Sequence, residues 1–521
     1  MKNRNIRDEL QDINQNRIDN KLSLRKKKVN EILFNRRKNE FNMSDKNKES
    51  IFFKYKVYSI TKGDYQGLPF ISQSINDDIM KNLTSQNIEE IKYGLSLLNL
   101  FIKDNNNNKT LIDLLTLLLS VLSKKINEKE VIFNVFYSFT NITYKINTNE
   151  IARILSDEFY EVIKNAFLIN DLAIIYQIIC SLNNIMIVIP VNNIVDFIKS
   201  GFFQNYICDY FMKNEIIYEI KYNNNKTDIL NAIIDKGINL FSNILIESSD
   251  ISISNNDLCY FQKLLNVIFN FAETYDKEKY YKCLYCLSFV LEKELNLSTI
   301  IIQNNFITKT LLKKKYFDDN DIIECINKII LICFKSDLEI ENYINYNILE
   351  FEINNLKSSV QSNKTDSLSI LSELIDNDEK IIDEFFNNEN NLLIIDSIYK
   401  KSFINSEIIE IAYFFTLLIN KCDINQYNII RKYNVLKNTI DHAKRCDKNS
   451  EDIIIYLQLI QIILDYGKDI SRINEENNNQ NLEALDFKKY DGDELIENLE
   501  INNNNCEISE IVDLIKKFLI C

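Results

Sequence analysis

An all-helical repeat array is the fold class that this sequence predicts, on three observations. Only 7 Gly and 2 Pro occur among 521 residues, too few for a chain of many strands and tight turns. Apolar residues recur at steps of three and four, as Ile454, Leu457 and Ile460 do with Ile463 and Leu464, which is one face of a helix. One helical segment then returns along the chain at a nearly constant step. Ile is only a middling helix former, so spacing and not propensity carries the assignment. A hydrophobic content of 46% supplies ample core and argues against a chain disordered as a whole.

The returning segment reads aromatic-x-apolar-x-Asn-apolar. It appears at Phe136–Ile142, Ile179–Ile185 and Ile238–Ile244, and at Leu284–Val290 with Phe where Asn stood. Weaker copies place the same position at Leu331, Glu373, Leu417 and Ile462. From Asn141 onward the steps are 43, 59, 46, 42, 42, 44 and 45, and the long one contains the Asn-rich Tyr222–Lys226. A helical period of this size falls in the armadillo/HEAT range. Such units bury their apolar faces by stacking on neighbours, which predicts a superhelix with one concave groove. Between helices, Asp and Asn stand where N-caps are expected, as at Asn76-Asp77-Asp78. Asn runs such as Asn105–Asn108 and Asn502–Asn505 read as loop filling.

Charge divides the chain. Residues 1–38 hold 12 of the 61 Lys/Arg and 5 of the 75 Asp/Glu, leaving 49 basic against 70 acidic residues in the rest. A basic arm on an acidic body either binds an acidic partner or folds back on its own body. The acidic body argues against direct nucleic-acid binding. The N-terminus is polar and charged, without a secretory pattern, and the 11 Cys form no framework, so reduced thiols are expected. No uninterrupted apolar run reaches the roughly 18 residues of a membrane span, and the longest candidate, Ile174–Pro190, is broken by Gln177, Ser181, Asn183 and Asn184. Membrane insertion is therefore not expected. Cys283 and Cys286 form a C-x-x-C, but with no second pair and a single histidine, His442, they read as small apolar residues on a helix face. No Gly-rich phosphate loop, G-x-S-x-G or paired zinc motif is present. The expectation is a binding protein without cofactor or metal, and not an enzyme.

The ordered set of segments resembles importin-α, the adaptor that carries proteins bearing nuclear localisation signals. In the arm, Arg17 follows Ile13-Asn14-Gln15-Asn16 where that family has Leu and an Arg run. Leu24-Arg25-Lys26-Lys27-Lys28 is similar to its Leu-Arg-Lys-x-Lys-Lys stretch, and Arg36-Arg37-Lys38-Asn39 to its basic cluster before Asn. Ser74–Asp78 with Glu89–Phe101 resembles the opening repeat. Leu258–Asn270 with Tyr281–Leu291 resembles the Asp-x-Cys-Trp-Ala-Leu-Ser-Tyr-Leu repeat. Asp452–Lys468, with Gly467, resembles the repeat ending in Leu-Glu-Asn-Ile-Leu-x-x-Gly, and Gly492–Leu499 with Glu507–Leu519 the closing segment.

The resemblance implies an importin-β-binding arm at 1–45 and a right-handed armadillo solenoid of about ten repeats at 71–521, and between them residues 46–70, carrying Gly63, Gly67 and Pro69, read as a linker. It implies importin-β on Arg17, Leu24, Arg25, Lys26, Lys27, Lys28, Arg36, Arg37 and Lys38. It also implies basic localisation-signal cargo in the groove, an export receptor with Ran-GTP, and shuttling between cytoplasm and nucleus. In that family a Trp and an Asn, one helical turn apart, face the groove. The Asn amide pins an extended peptide backbone, and the Trp rings form slots for Lys and Arg stems. The implied cargo residues here are Tyr137, Asn141, Gln177, Asn184, Asn239, Asn243, Tyr285, Glu410 and Tyr413.

The chain departs from that pattern in having no Trp. Tyr137, Cys180, Asn239, Tyr285, Ser369 and Tyr413 stand at the Trp positions. Val188 replaces an expected Asp, Lys145 a Gly and Lys282 an acidic residue, while Glu373 and Leu417 replace Asn. A basic peptide entering there is expected to meet Lys145 and Lys282. Two functions follow: a transport adaptor with narrowed or changed cargo, or an armadillo scaffold without import cargo. The arm discriminates them, because a scaffold has no need of Leu24–Lys28 and Arg36–Lys38.

Overall fold

The computed structural model describes residues 55–59 and 73–519, apart from 105–106, 125–127, 147, 223–227, 249–257, 275, 294–296, 305, 308–317, 336–345, 448–451, 474–480 and 503–504. The described residues form helices and no strand. They divide into two compact units. The first holds residues up to 147, 156–181 and 226–233, and the second holds 148–155, 182–225 and 234 onward.

The first unit is built from helical hairpins. α1 (Gln73–Thr84) pairs with α2 (Ile88–Asp104), and α3 (Asn108–Ser123) with α4 (Lys129–Lys145). α5 (Asp157–Leu168) precedes α6 (Leu172–Met186), whose first turns belong to this unit. α1, α3 and α5 pack on one another in one layer, and α2 packs on α4 in the other. The apolar faces meet between the layers: Leu83, Leu95, Leu98, Leu115, Leu118, Phe136 and Phe139 are wholly buried. Asn107 and Ser156 cap α3 and α5 by accepting from Thr110 and Phe159, the preferred N-cap chemistry. α1 starts at Gln73, so Asn76-Asp77-Asp78 lie inside its first turns and not ahead of it.

In the second unit α7 (Val191–Lys199) leads into a π-helical turn at Phe203–Cys208, then α8 (Asn214–Tyr222) and, from residue 234, the greater part of α9 (Asp228–Ser248). By length and composition Ile229–Ser248 could cross a membrane. Its Ile234, Ile238, Phe241 and Leu245 are nevertheless buried in the protein. Phe241 contacts Phe203, Phe211 and Phe271 with ring centroids 5.5, 5.5 and 5.8 Å apart.

The chain continues through α10 (Leu258–Ala272), α11 (Lys277–Lys293), α12 (Ser298–Gln303), α13 (Asn320–Lys335), α14 (Tyr346–Asn355) and α15 (Gln361–Asn377). It then settles into triplets. α16 (Glu379–Phe386), α17 (Asn390–Lys401) and α18 (Asn405–Lys421) have 8, 12 and 17 residues. α19 (Ile424–Arg431), α20 (Val435–Arg445) and α21 (Asp452–Ile473) have 8, 11 and 22. α22 (Leu482–Lys489), α23 (Gly492–Asn502) and α24 (Cys506–Leu519) have 8, 11 and 14. Each short helix opens on an Asp or Asn cap, Asp378, Asp423 or Asn481.

The long helices α11, α13, α15, α18, α21 and α24 pack in succession. Side-chain bonds between repeats keep one register. Asn363 donates to the Asn320 carbonyl 43 residues away, the buried His442 bonds the Tyr399 carbonyl at a separation of 43, and Tyr466 donates to the Cys422 carbonyl at 44. Triplets of this form are armadillo repeats, and the hairpins of the first unit are of HEAT type.

Candidate functional site

Each long helix buries most of its circumference and leaves one stripe half-exposed, because packing against neighbours covers the rest. On α4 the stripe includes Tyr137 and Asn141, and on α9 Asn239 and Asn243. Tyr285 on α11, and Glu410 with Tyr413 on α18, are likewise half-exposed, as is Asn184 on α6. Gln177 differs in being buried.

In the first unit the Tyr137 ring stacks on Phe133 with centroids 6.3 Å apart. Thr140 donates to the Gln177 amide oxygen at 2.9 Å and meets Ser181 at 2.8 Å. Gln177 therefore ties α4 to α6. The Lys145 ammonium donates to the carbonyls of Ile102 and Lys103 at the end of α2. Helix C-terminal carbonyls are unsatisfied acceptors at the negative end of the dipole. Lys145, expected from the sequence to meet a basic peptide, also clamps the end of α2.

The same face of α4 holds a ligand-like stretch of the chain's own backbone. Asn134, two turns before Asn141 and fully buried, donates to the Lys56 carbonyl at 3.0 Å and accepts from the Tyr58 N–H at 2.8 Å. One carboxamide thereby satisfies both backbone groups of an extended segment. Asn99 on α2 donates to the Tyr58 carbonyl at 3.0 Å and is steadied by Ser138, which donates to it at 2.8 Å. The Tyr55 hydroxyl donates to Asp171 at 2.7 Å, and its ring lies 5.5 Å from that of Phe133. The other Asp171 oxygen accepts from the Ala173 N–H at the start of α6. Burial and the bond to Asp171 push the Tyr55 phenol up to about 12, so it stays a donor at neutral pH. Residues 55–59 fall in the stretch read as a linker.

In the second unit Asn243 donates to Asn183 at 2.8 Å. The Tyr285 ring lies 6.0 Å from Tyr281, and Lys282 pairs with Glu278 at 3.1 Å. Glu410 accepts from Ser369 at 3.0 Å, joining α18 to α15. Cys283 and Cys286 are both buried, and burial pushes the Cys286 thiol up to about 12. No group of His, Cys, Asp and Glu suited to a metal occurs among the described residues. The arm residues Arg17, Leu24, Arg25, Lys26, Lys27, Lys28, Arg36, Arg37 and Lys38 lie outside the described residues.

Sequence reasoning missed Asn99, Asn134 and Asp171. A signal was present in Asn134: it sits on the helix face of Asn141, seven residues earlier, inside an otherwise apolar run.

No family model and no curated protein matches the sequence. Among solved structures, an engineered protein is similar at 12% identity and a TM-score of 0.55, over 86% of this chain and all of that one. A designed armadillo repeat protein in complex with a (KR)4 peptide is similar at 12% identity and a TM-score of 0.40, over 49% of this chain and 99% of that one. Importin beta is similar at 10% identity and a TM-score of 0.36, over 86% of this chain and 57% of that one. The fold defines an all-α armadillo/HEAT-type repeat protein.

Proposed function

We propose that this chain is an adaptor that binds extended peptide segments on its long helices, and that within this class it is a nuclear import adaptor. The observation that supports peptide binding is the Asn134 carboxamide, which pairs with a backbone C=O and N–H of residues 56 and 58. In the first unit Tyr137 and Asn141, and in the second Asn184, Asn239, Asn243, Tyr285, Glu410 and Tyr413, offer amides, rings and a carboxylate for basic localisation signals. The arm supports the import reading through its resemblance to an importin-β-binding segment. An export receptor with Ran-GTP and shuttling between nucleus and cytoplasm complete it.

A scaffold with other cargo is the second reading. It is favoured by the absence of Trp, by Val188 at the expected Asp, and by Gln177 bonded to Thr140.

The test is calorimetry on the full chain with importin-β and with a basic localisation peptide. Import function predicts importin-β binding that is lost when Arg25–Lys28 and Arg36–Lys38 become Ala. It also predicts peptide binding weakened at least tenfold by Asn184→Ala. An arm that does not bind importin-β leaves the scaffold reading in its place.

A further inference from the structure

The resident segment on α2, α4 and α6 is not basic in what it shows the protein. The Lys56 side chain is exposed, whereas Tyr55 and Tyr58 are half-buried against the helices. We infer that this cradle is a binding site for an extended segment bearing Tyr, two further residues and then Tyr or Phe, and that residues 55–58 are its exchangeable occupant. This inference rests on the peptide-binding reading above and names a ligand class that reading does not contain.

Each requirement has its own contact. Asn134 and Asn99 hold the backbone at Lys56 and Tyr58, so the peptide must be extended but its sequence is free at that level. Asp171 accepts the first hydroxyl. A partly buried carboxylate that meets Phe in place of Tyr loses a charge-assisted bond, which selects Tyr at this position. At the second aromatic the Tyr58 hydroxyl is buried with no partner among the described residues. A buried polar atom without a bond is costly, so the second slot prefers a ring without a hydroxyl. Exchange follows from shallow burial. None of residues 55–59 is fully buried, and stretches held by few apolar contacts open locally at low free energy.

The experiment uses the full chain and a fluorescent peptide of residues 51–62. Tyr55→Ala/Tyr58→Ala in the chain removes both aromatic anchors of the resident segment, and with them most of its competition, without touching the walls of the cradle. The labelled peptide should then bind at least tenfold more tightly than to the wild type, where the resident segment competes. Adding Asn134→Ala should reverse that gain. A peptide with Phe for Tyr55 should bind about tenfold more weakly, and one with Phe for Tyr58 at least as tightly as the parent. An unlabelled basic peptide should not displace the probe. A helical, folded double variant that fails to bind the probe overturns the inference and makes residues 55–58 a fixed cap on the first repeats. If the double variant does not fold, hydrogen exchange of the Tyr58 amide in the wild type decides. Exchange far faster than in the core of α4 supports the inference, and exchange only with global unfolding overturns it. Basic-peptide binding to the same chain is scored separately, so the adaptor reading can stand when this one falls.

Discussion

Lys421 closes the end of a helix that precedes it by a whole repeat. From the last residue of α18 its ammonium meets the Asp376 carboxylate at 2.9 Å and the Ile375 carbonyl at 3.3 Å, both in the last turn of α15. Tyr466 does the same for α18 with its hydroxyl on the Cys422 carbonyl at 2.8 Å, and in the first unit Lys145 does so for α2. Replacing Lys421 with Met keeps the aliphatic stem and removes the charge. The expected loss is about 1 kcal/mol, smaller at high salt, because the pair is partly exposed. Urea unfolding at two ionic strengths checks it, and an unchanged midpoint would dismiss the clamp.

Asn134→Ala should cost about 2 kcal/mol, since it leaves the Lys56 carbonyl and the Tyr58 N–H without their partner. It should also release residues 55–59 to protease before the helices unfold. Asn141→Ala, at a half-exposed position, should cost less than half as much. Limited proteolysis read by mass spectrometry separates the two, and equal protection of residues 55–59 in both variants would contradict the clamp geometry.

Glu352 makes stability depend on pH in the direction opposite to an ordinary carboxylate. It is wholly buried on α14, and burial pushes its acid up to about 8 from 4.5, against the opposing bonds of Ser367 and Asn355. The folded state holds the proton that the unfolded state releases. Its contribution is therefore complete below about 4.5 and lost as the pH rises toward about 8. Glu352→Gln should match the wild type near pH 5 and exceed it at pH 9. Thermal melts across that range test the sign; a variant that weakens the protein at pH 9 would refute it.

Gly237→Ala should destabilise although alanine is the better helix former. An added Cβ would stand 2.4 Å from the Phe211 ring, within the Phe203–Phe241–Phe271 cluster. Helix propensity returns about 1 kcal/mol, and overpacking takes roughly 1–3. A net loss is expected, measurable as a lower urea midpoint; a gain would mean that Phe211 moves freely.

The repeat was legible in the sequence because its signal is redundant. Asn141, Asn243, Phe289, Leu331, Glu373, Leu417 and Ile462 all lie on long helices, and the step between them survives the loss of any single residue. The Asp and Asn caps were legible at Asp378, Asp423 and Asn481, where the cap begins a short helix. What a residue does within its stripe was not legible. Lys145 read as an obstacle, because its reach to α2 depends on how the next repeat stacks. Asn134 went unnoticed, because its partner is a short extended stretch 76 residues away that carries no helical period. Residues 55–59 read as linker because Gly63, Gly67 and Pro69 follow them, whereas hydrogen bonds to Asn99, Asn134 and Asp171 and the Tyr55–Phe133 ring contact hold them.

The bonds that join one repeat to the next mostly reach some forty residues along the chain, from Ser369 to Glu410, from Tyr399 to Thr439, from Gln426 to Asp383. A structure assembled from such near partners has no need to wait for its far end. Each triplet can dock as soon as the one before it has formed, so the C-terminal repeats are suited to fold in order as they leave the ribosome. The clasp on residues 55–59 obeys a different timetable, because Tyr55 finds Asp171 only after 116 residues more have been made.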